Sequence, residues 1–148
     1  MNHSKYIKIK QSGFTLLELL MVIAVVGILT TLAVPRLQSY SQKAKFTEVI
    51  NAVAPYKAAV EQCLMEYDET ECDASKNGIP SGFTVAQGRV ESVTVADGII
   101  TATGVAKDFP KRSDANVTYI LDPKVGDNSV TWSTDSKSSC LEAPALCQ

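Results

Sequence analysis

The chain has 148 residues, 45% of them hydrophobic, a formal net charge of −2 and a single histidine, His3. This length gives one domain, or one domain on a membrane stalk, and the slight acidity argues against nucleic-acid binding driven by net charge. With its one imidazole at the extreme N-terminus and no phosphate-binding G-x-x-x-x-G-K loop, the chain is not expected to be an enzyme or to hydrolyse ATP.

Residues 1–13 carry Lys5, Lys8 and Lys10, no acid, and end in Gly13. From Phe14 to Val34 the only charged residue is Glu18, near the start. A helix of ~20 residues rising ~1.5 Å each spans a bilayer, so the run predicts a membrane-crossing helix with the lysines on the cytoplasmic side. A charge deep in such a helix costs roughly 2.5–3.5 kcal/mol, so Glu18 is either an interfacial carboxylate reaching for headgroups or a functional group. Gly27 either admits a second helix closely or is merely a small residue. A secretory signal would be cut after the apolar run, but Thr31-Leu32-Ala33 is a poor site and the helical pattern continues past it.

That pattern runs through Leu37, Tyr40, Ala44, Ile50, Val53, Val60, Leu64 and Tyr67, with Lys43, Lys45, Glu48 and Glu61 on other faces. It predicts one helix from Phe14 to about Tyr67, ~80 Å if fully helical. Bends or loosening are expected at Pro35 and Pro55, since an interior proline withholds an N–H and costs about 3 kcal/mol. Asp68–Gly82 reads as an acidic loop. Glu66, Asp68, Glu69, Glu71 and Asp73 lack the spacing of a calcium loop, so neither metal nor cofactor is expected.

Strand signals follow at Phe83–Gln87, Glu91–Ala96, Ile99–Val105, Val117–Leu121 and Ser129–Thr134, with Asp97-Gly98 as a hairpin turn. They predict a meander of about four antiparallel strands, Val93, Val95, Tyr119, Leu121, Val130 and Trp132 facing the amphipathic half of the helix. Asp122–Asn128 reads as a connection. Between strands, Ala106–Asn116 holds Lys107, Lys111 and Arg112, the basic loop that DNA or a surface would meet; a solvated loop is the plainer reading. Asn116-Val117-Thr118 matches a short glycosylation sequon. Four cysteines allow three pairings. The local ones, Cys63–Cys72 and Cys140–Cys147, close short loops at a gain of about 2–3 kcal/mol apiece. Their spacing does not suit zinc, and disulfides imply an oxidising compartment.

Gly13-Phe14-Thr15-Leu16-Leu17-Glu18, behind a basic leader and opening an apolar helix, resembles the type IV pilins. The likeness is close over residues 13–35 and only architectural beyond about residue 67. It implies an α+β pilin fold, with one long N-terminal helix and an antiparallel sheet of about four strands. It also implies a leader, residues 1–13, that is removed; a transmembrane and filament-core helix, residues 14–35; and a globular domain, residues 36–148. Prepilin peptidase would cut between Gly13 and Phe14 and methylate Phe14. Glu18 would act in assembly, meeting the Phe14 amine of an incoming subunit, although the same pair can also form within one chain. Pro35 would be a point where the helix melts in the filament.

The partners so implied are further copies in a helical filament, prepilin peptidase, membrane lipid, and an inner-membrane assembly platform driven by a cytoplasmic ATPase. The subunit would sit in the inner membrane as a single-pass protein and then in an extracellular pilus serving adhesion, twitching motility or DNA uptake. Minor pilins and type II secretion pseudopilins share the motif; Pro55 beside Pro35 and the cysteine pairs favour a type IVa pilin. From a different class, a monomeric membrane-anchored periplasmic binding module also fits the outline.

Overall fold

In the computed structural model, residues 13–109, 116–127, 129–142 and 145–147 are described, apart from the side chains of Leu32, Pro35 and Arg36. The chain divides into two compact units, Met1–Leu37 and Gln38–Gln148. Helix α1 covers Leu16–Ala52 and α2 covers Ala54–Glu66. The sequence selects the start of α1 through Thr15. Its hydroxyl accepts the Glu18 N–H at 3.3 Å and its carbonyl accepts that of Leu19 at 3.3 Å, so Thr15 caps the helix. The backbone stays helical through Pro35. The break falls at Val53, and Pro55 follows in the first turn of α2, where a missing N–H matters least.

Within the second unit the buried helical side chains are Gln42, Phe46, Val49, Val53, Tyr56, Val60, Cys63 and Leu64. From Gln42 to Cys63 the steps alternate between four and three, and Leu64 lies four beyond Val60, the signature of one apolar stripe. Of the expected face, Val53, Val60 and Leu64 are buried and Ile50 packs against the core, whereas Leu37, Tyr40, Ala44 and Tyr67 are exposed. Two residues along a helix are about 200° apart, so the row through Tyr40 and Ala44 points away from the row through Gln42 and Phe46.

The stripe packs on a four-stranded antiparallel meander in the order β1 (Val90–Ala96), β2 (Ile99–Gly104), β3 (Val117–Val125), β4 (Val130–Thr134). Asp97 and Gly98 join β1 to β2 with φ of 49° and 75°, the left-handed pair that a two-residue hairpin requires. Register aligns Val93, Ala102 and Tyr119 on one row and Val95, Ile100 and Leu121 on the next. Val93, Val95 and Leu121 are buried, while Tyr119, Val130 and Trp132 are half-buried against the same core. Phe46 meets the rings of Phe109 at 5.5 Å and Tyr119 at 6.4 Å, both edge-on. Gly104 makes this possible: a Cβ there would lie 2.7 Å from the Phe109 ring and 3.2 Å from Val49.

Two strand assignments change. Phe83–Gln87 is not a strand; it forms only the single bridges Phe83–Val93 and Gln87–Val90. Gly88, at φ +63°, turns the chain back before pairing can extend. Conversely, β3 continues through Asp122-Pro123-Lys124, which the sequence suggests is a connection. Pairing with β2 ends at Ile100–Leu121, so Pro123 sits where β3 is an edge and the missing N–H is tolerated.

Side chains tie the helices to the sheet and its loops. Trp132 Nε1 donates to Glu61 Oε1 at 2.6 Å, and the Lys57 ammonium lies 5.5 Å from the Trp132 ring centre. The Tyr56 hydroxyl donates to the Ser81 carbonyl at 3.1 Å, and Arg89 pairs with Glu48. After α2 the chain is held by Cys63–Cys72, S–S 2.03 Å, and docks on the β1–β2 turn. There the Gly98 N–H donates to the Cys72 carbonyl at 2.9 Å, and Asp73 accepts the Asp97 N–H at 3.0 Å. Lys76, bonded to Asp73 at 2.7 Å, holds that carboxyl below its ordinary value, helped by the Asp97 N–H; the same contact raises the Lys76 ammonium.

The C-terminal segment closes through Cys140–Cys147 and buries Leu146. It also completes the sheet. β4 pairs with β3 only from Leu121 to Val125. Over the remaining half, the Ser138 hydroxyl accepts the Ile120 N–H at 3.0 Å and donates to the Ile120 carbonyl at 3.2 Å. The Ser139 hydroxyl accepts the Thr118 N–H at 2.9 Å. Two serine side chains thus stand in for a strand.

Candidate functional site

The first unit is where chemistry and exposure coincide. Gly13, Phe14 and Thr15 precede the helix in non-helical backbone, and all three are exposed. Phe14 is 77% exposed and Leu16 76%. From Leu16 to Val34 every side chain that the structure describes is exposed, including Leu17, Leu20, Ile23, Val26 and Ile28. Apolar residues lie on all sides of this helix rather than along one stripe, so it has no polar face to turn toward water. A surface of this kind requires an apolar environment. Glu18, the exception, occupies the first turn, where a carboxylate favours the positive end of the helix dipole. Gly27 has open space around it, with nothing within 4 Å of a Cβ built there.

Among the described residues, no helix is long and apolar enough to cross a membrane. The apolar run itself continues in the sequence to Val34.

Other candidate residues lie elsewhere. Lys107 is exposed in a short 3-10 turn, Ala106–Asp108, whereas Lys111 and Arg112 fall outside the described residues. The sequon residue Asn116 uses its side-chain oxygen to accept the Ala106 N–H at 3.1 Å, closing the loop that carries Lys107. Among the described residues no group of three or more His, Cys, Asp or Glu side chains could hold a metal ion. Sequence reasoning missed the capping role of Thr15, although Thr15-x-x-Glu18 has the spacing of a capping box and was available as a signal. It also missed Ser138 and Ser139, which no pattern in the tail announces.

Comparison with known proteins assigns both parts of the chain. Residues 8–34 match the prokaryotic N-terminal methylation motif, and residues 42–148 match the family described as pilin (bacterial filament). The chain belongs to the pilin family. Among relatives, this pilin is similar to the type IV major pilin protein PilE of Neisseria gonorrhoeae, 34% identical over 82% of this chain and 72% of PilE. It is similar to the fimbrial protein EcpC of Eikenella corrodens, 33% identical over 93% and 91% of the two chains. It is also 41% identical to prepilin peptidase-dependent protein D of Escherichia coli K12, over 64% of each chain, just under two thirds of that relative's length. The α+β architecture, a long N-terminal helix with a four-stranded antiparallel sheet, is that of a pilin.

Proposed function

We propose that this pilin is the structural subunit of a type IV pilus. It is made with the leader 1–13, cut by prepilin peptidase between Gly13 and Phe14 and methylated on Phe14. Residues 14–35 then hold it in the inner membrane until an assembly platform, driven by a cytoplasmic ATPase, passes it into a surface filament. The observation that carries this reading is the exposed apolar part of α1, from Leu16 to Val34, with one acid in its first turn. Lipid covers such a surface before assembly, and helices of other copies cover it afterwards. In the membrane, packing and polar pairing rather than water exclusion drive helices together. The methylation motif over residues 8–34 supports the processing step, as does the name of the Escherichia coli relative.

Glu18 is the register mark in this account. Cleavage creates an ammonium on Phe14, and in a dry bundle the attraction between it and the carboxylate of a neighbouring subunit is far stronger than in water. Pro35 is the proposed point where the helix loosens in the filament; continuous helical density through residues 30–37 of a filament map would contradict that. Similarity to a protein named as a major pilin favours the main subunit over a minor pilin or pseudopilin. Lys107, with Lys111 and Arg112, is the proposed contact for DNA or a surface. Neutralising all three is expected to lower DNA uptake or adhesion without loss of fibres.

The test of assembly is Glu18→Ala. The expected outcome is loss of surface fibres by electron microscopy while leader removal, read by gel mobility, is retained. Fibres at wild-type abundance would contradict the role of Glu18 and favour a monomeric membrane-anchored binding module.

A further inference from the structure

We infer that Thr15 is a positioning residue for leader removal: its hydroxyl stops the helix at Leu16 and keeps the Gly13–Phe14 peptide outside it. The inference rests on the reading that this peptide is the one cut. The Thr15 carbonyl accepts the Glu18 N–H at 3.1 Å and the Leu19 N–H at 3.3 Å, and the Thr15 side-chain oxygen shares the Glu18 N–H at 3.3 Å. Gly13, Phe14 and Thr15 are consequently non-helical and exposed, and nothing lies within 4 Å of a Cβ built on Gly13.

The alternative start explains why this matters. Were the helix to run back so that its first residue was Phe14, the Gly13 carbonyl would accept the Leu17 N–H in the i→i−4 pattern. Hydrolysis adds water to that same Gly13 carbonyl carbon, breaks its bond to the Phe14 nitrogen, and leaves a carboxylate on Gly13 and an amine on Phe14. A carbonyl engaged in a helix, on a chain coiled ~10 Å wide, is a poor match for a protease cleft. Next to an apolar helix the pressure to extend is strong, because helical bonding satisfies N–H groups that lipid cannot. The hydroxyl and carbonyl of Thr15 together hold the Glu18 N–H without that extension, and the hydroxyl is the part that depends on the side chain.

The experiment uses the full-length chain in detergent micelles with purified prepilin peptidase, comparing Thr15→Val, Thr15→Ser and Thr15→Asn. Valine keeps the shape and removes the acceptor, whereas serine and asparagine keep a cap. The initial cleavage rate is expected to fall in Thr15→Val, by up to about fivefold, the equilibrium shift that one lost cap produces, and to stay near wild type in the other two. Hydrogen exchange at the Leu17 amide is expected to slow in Thr15→Val alone, because the extended helix bonds that N–H to the Gly13 carbonyl. Wild-type or faster cleavage of Thr15→Val overturns the inference, as does unchanged exchange at Leu17. Equal slowing in all three variants also overturns it, since the peptidase would then be reading threonine itself. A wild-type product whose mass does not begin at Phe14 is a separate result, and removes the processing reading on which the inference stands.

Discussion

Ser138 is 1% exposed, and its hydroxyl serves both polar groups of Ile120. Replacing it with alanine removes the partner of the Ile120 N–H, while the Ile120 carbonyl keeps the Asp135 N–H at 3.0 Å, so Ser138→Ala is expected to cost about 1–3 kcal/mol in chemical denaturation. Gly104→Ala is expected to cost a similar ~1–3 kcal/mol, because the new methyl meets the Phe109 ring and Val49 in a packed core. Unchanged denaturation midpoints would show that the tail and the Phe109 loop yield easily. Asp73 adds a pH dependence. Its carboxyl is lowered from 3.8 by Lys76 and the Asp97 N–H, so its contribution is present above that value and lost as pH falls through the folded one. Lys76 is raised from 10.5, so its share is complete below that value and lost on the alkaline side. Hydrogen exchange at the Asp97 amide is therefore expected to be steady from pH 5 to about 4 and to rise below that, once intrinsic exchange is corrected for. Asp73→Asn should flatten that profile.

At the level of elements, the most legible features were those where residue type and backbone geometry coincide. Asp97-Gly98 reads as a hairpin because both residues tolerate positive φ, and both adopt it. The helical face was harder. Phe46, Val49, Val53, Tyr56, Val60 and Cys63 form an unbroken row, but Tyr40 and Ala44 offer a competing apolar row. Only the position of the sheet decides between them. Phe83–Gln87 looks like a strand locally and stops at two single bridges because Gly88, at φ +63°, turns the chain back. The serine ladder at Ser138 and Ser139 was illegible, since hydroxyls in a polar tail look solvated until the half-paired strand beside them is known. The Cys63–Cys72 bridge pins the end of α2 to the loop that docks on the hairpin. Removing both sulfurs, as Cys63→Ser with Cys72→Ser, is expected to lower stability by about 2–3 kcal/mol.

For the whole molecule, the two units divide the work by chemistry. The second buries a core of helix and sheet with its own disulfides, hydrogen bonds and aromatic cluster. The first presents apolar side chains in every direction and one carboxylate, a surface complete only when something else covers it. Covering each exposed Leu, Ile or Val is worth about 1.5–3 kcal/mol relative to water, which is why the proposed function gives this helix lipid and then other copies as its cover. The motif that marks this helix was legible from Gly13 to Glu18, because its meaning lies in residue order rather than in tertiary contacts. Its cap at Thr15 became plain only from the hydrogen bonds. The most direct test of the filament account is mass spectrometry of surface filaments sheared from cells. The account predicts this chain as the dominant species, beginning at an N-methylated Phe14; finding it only in the membrane fraction, full-length from Met1, would contradict it.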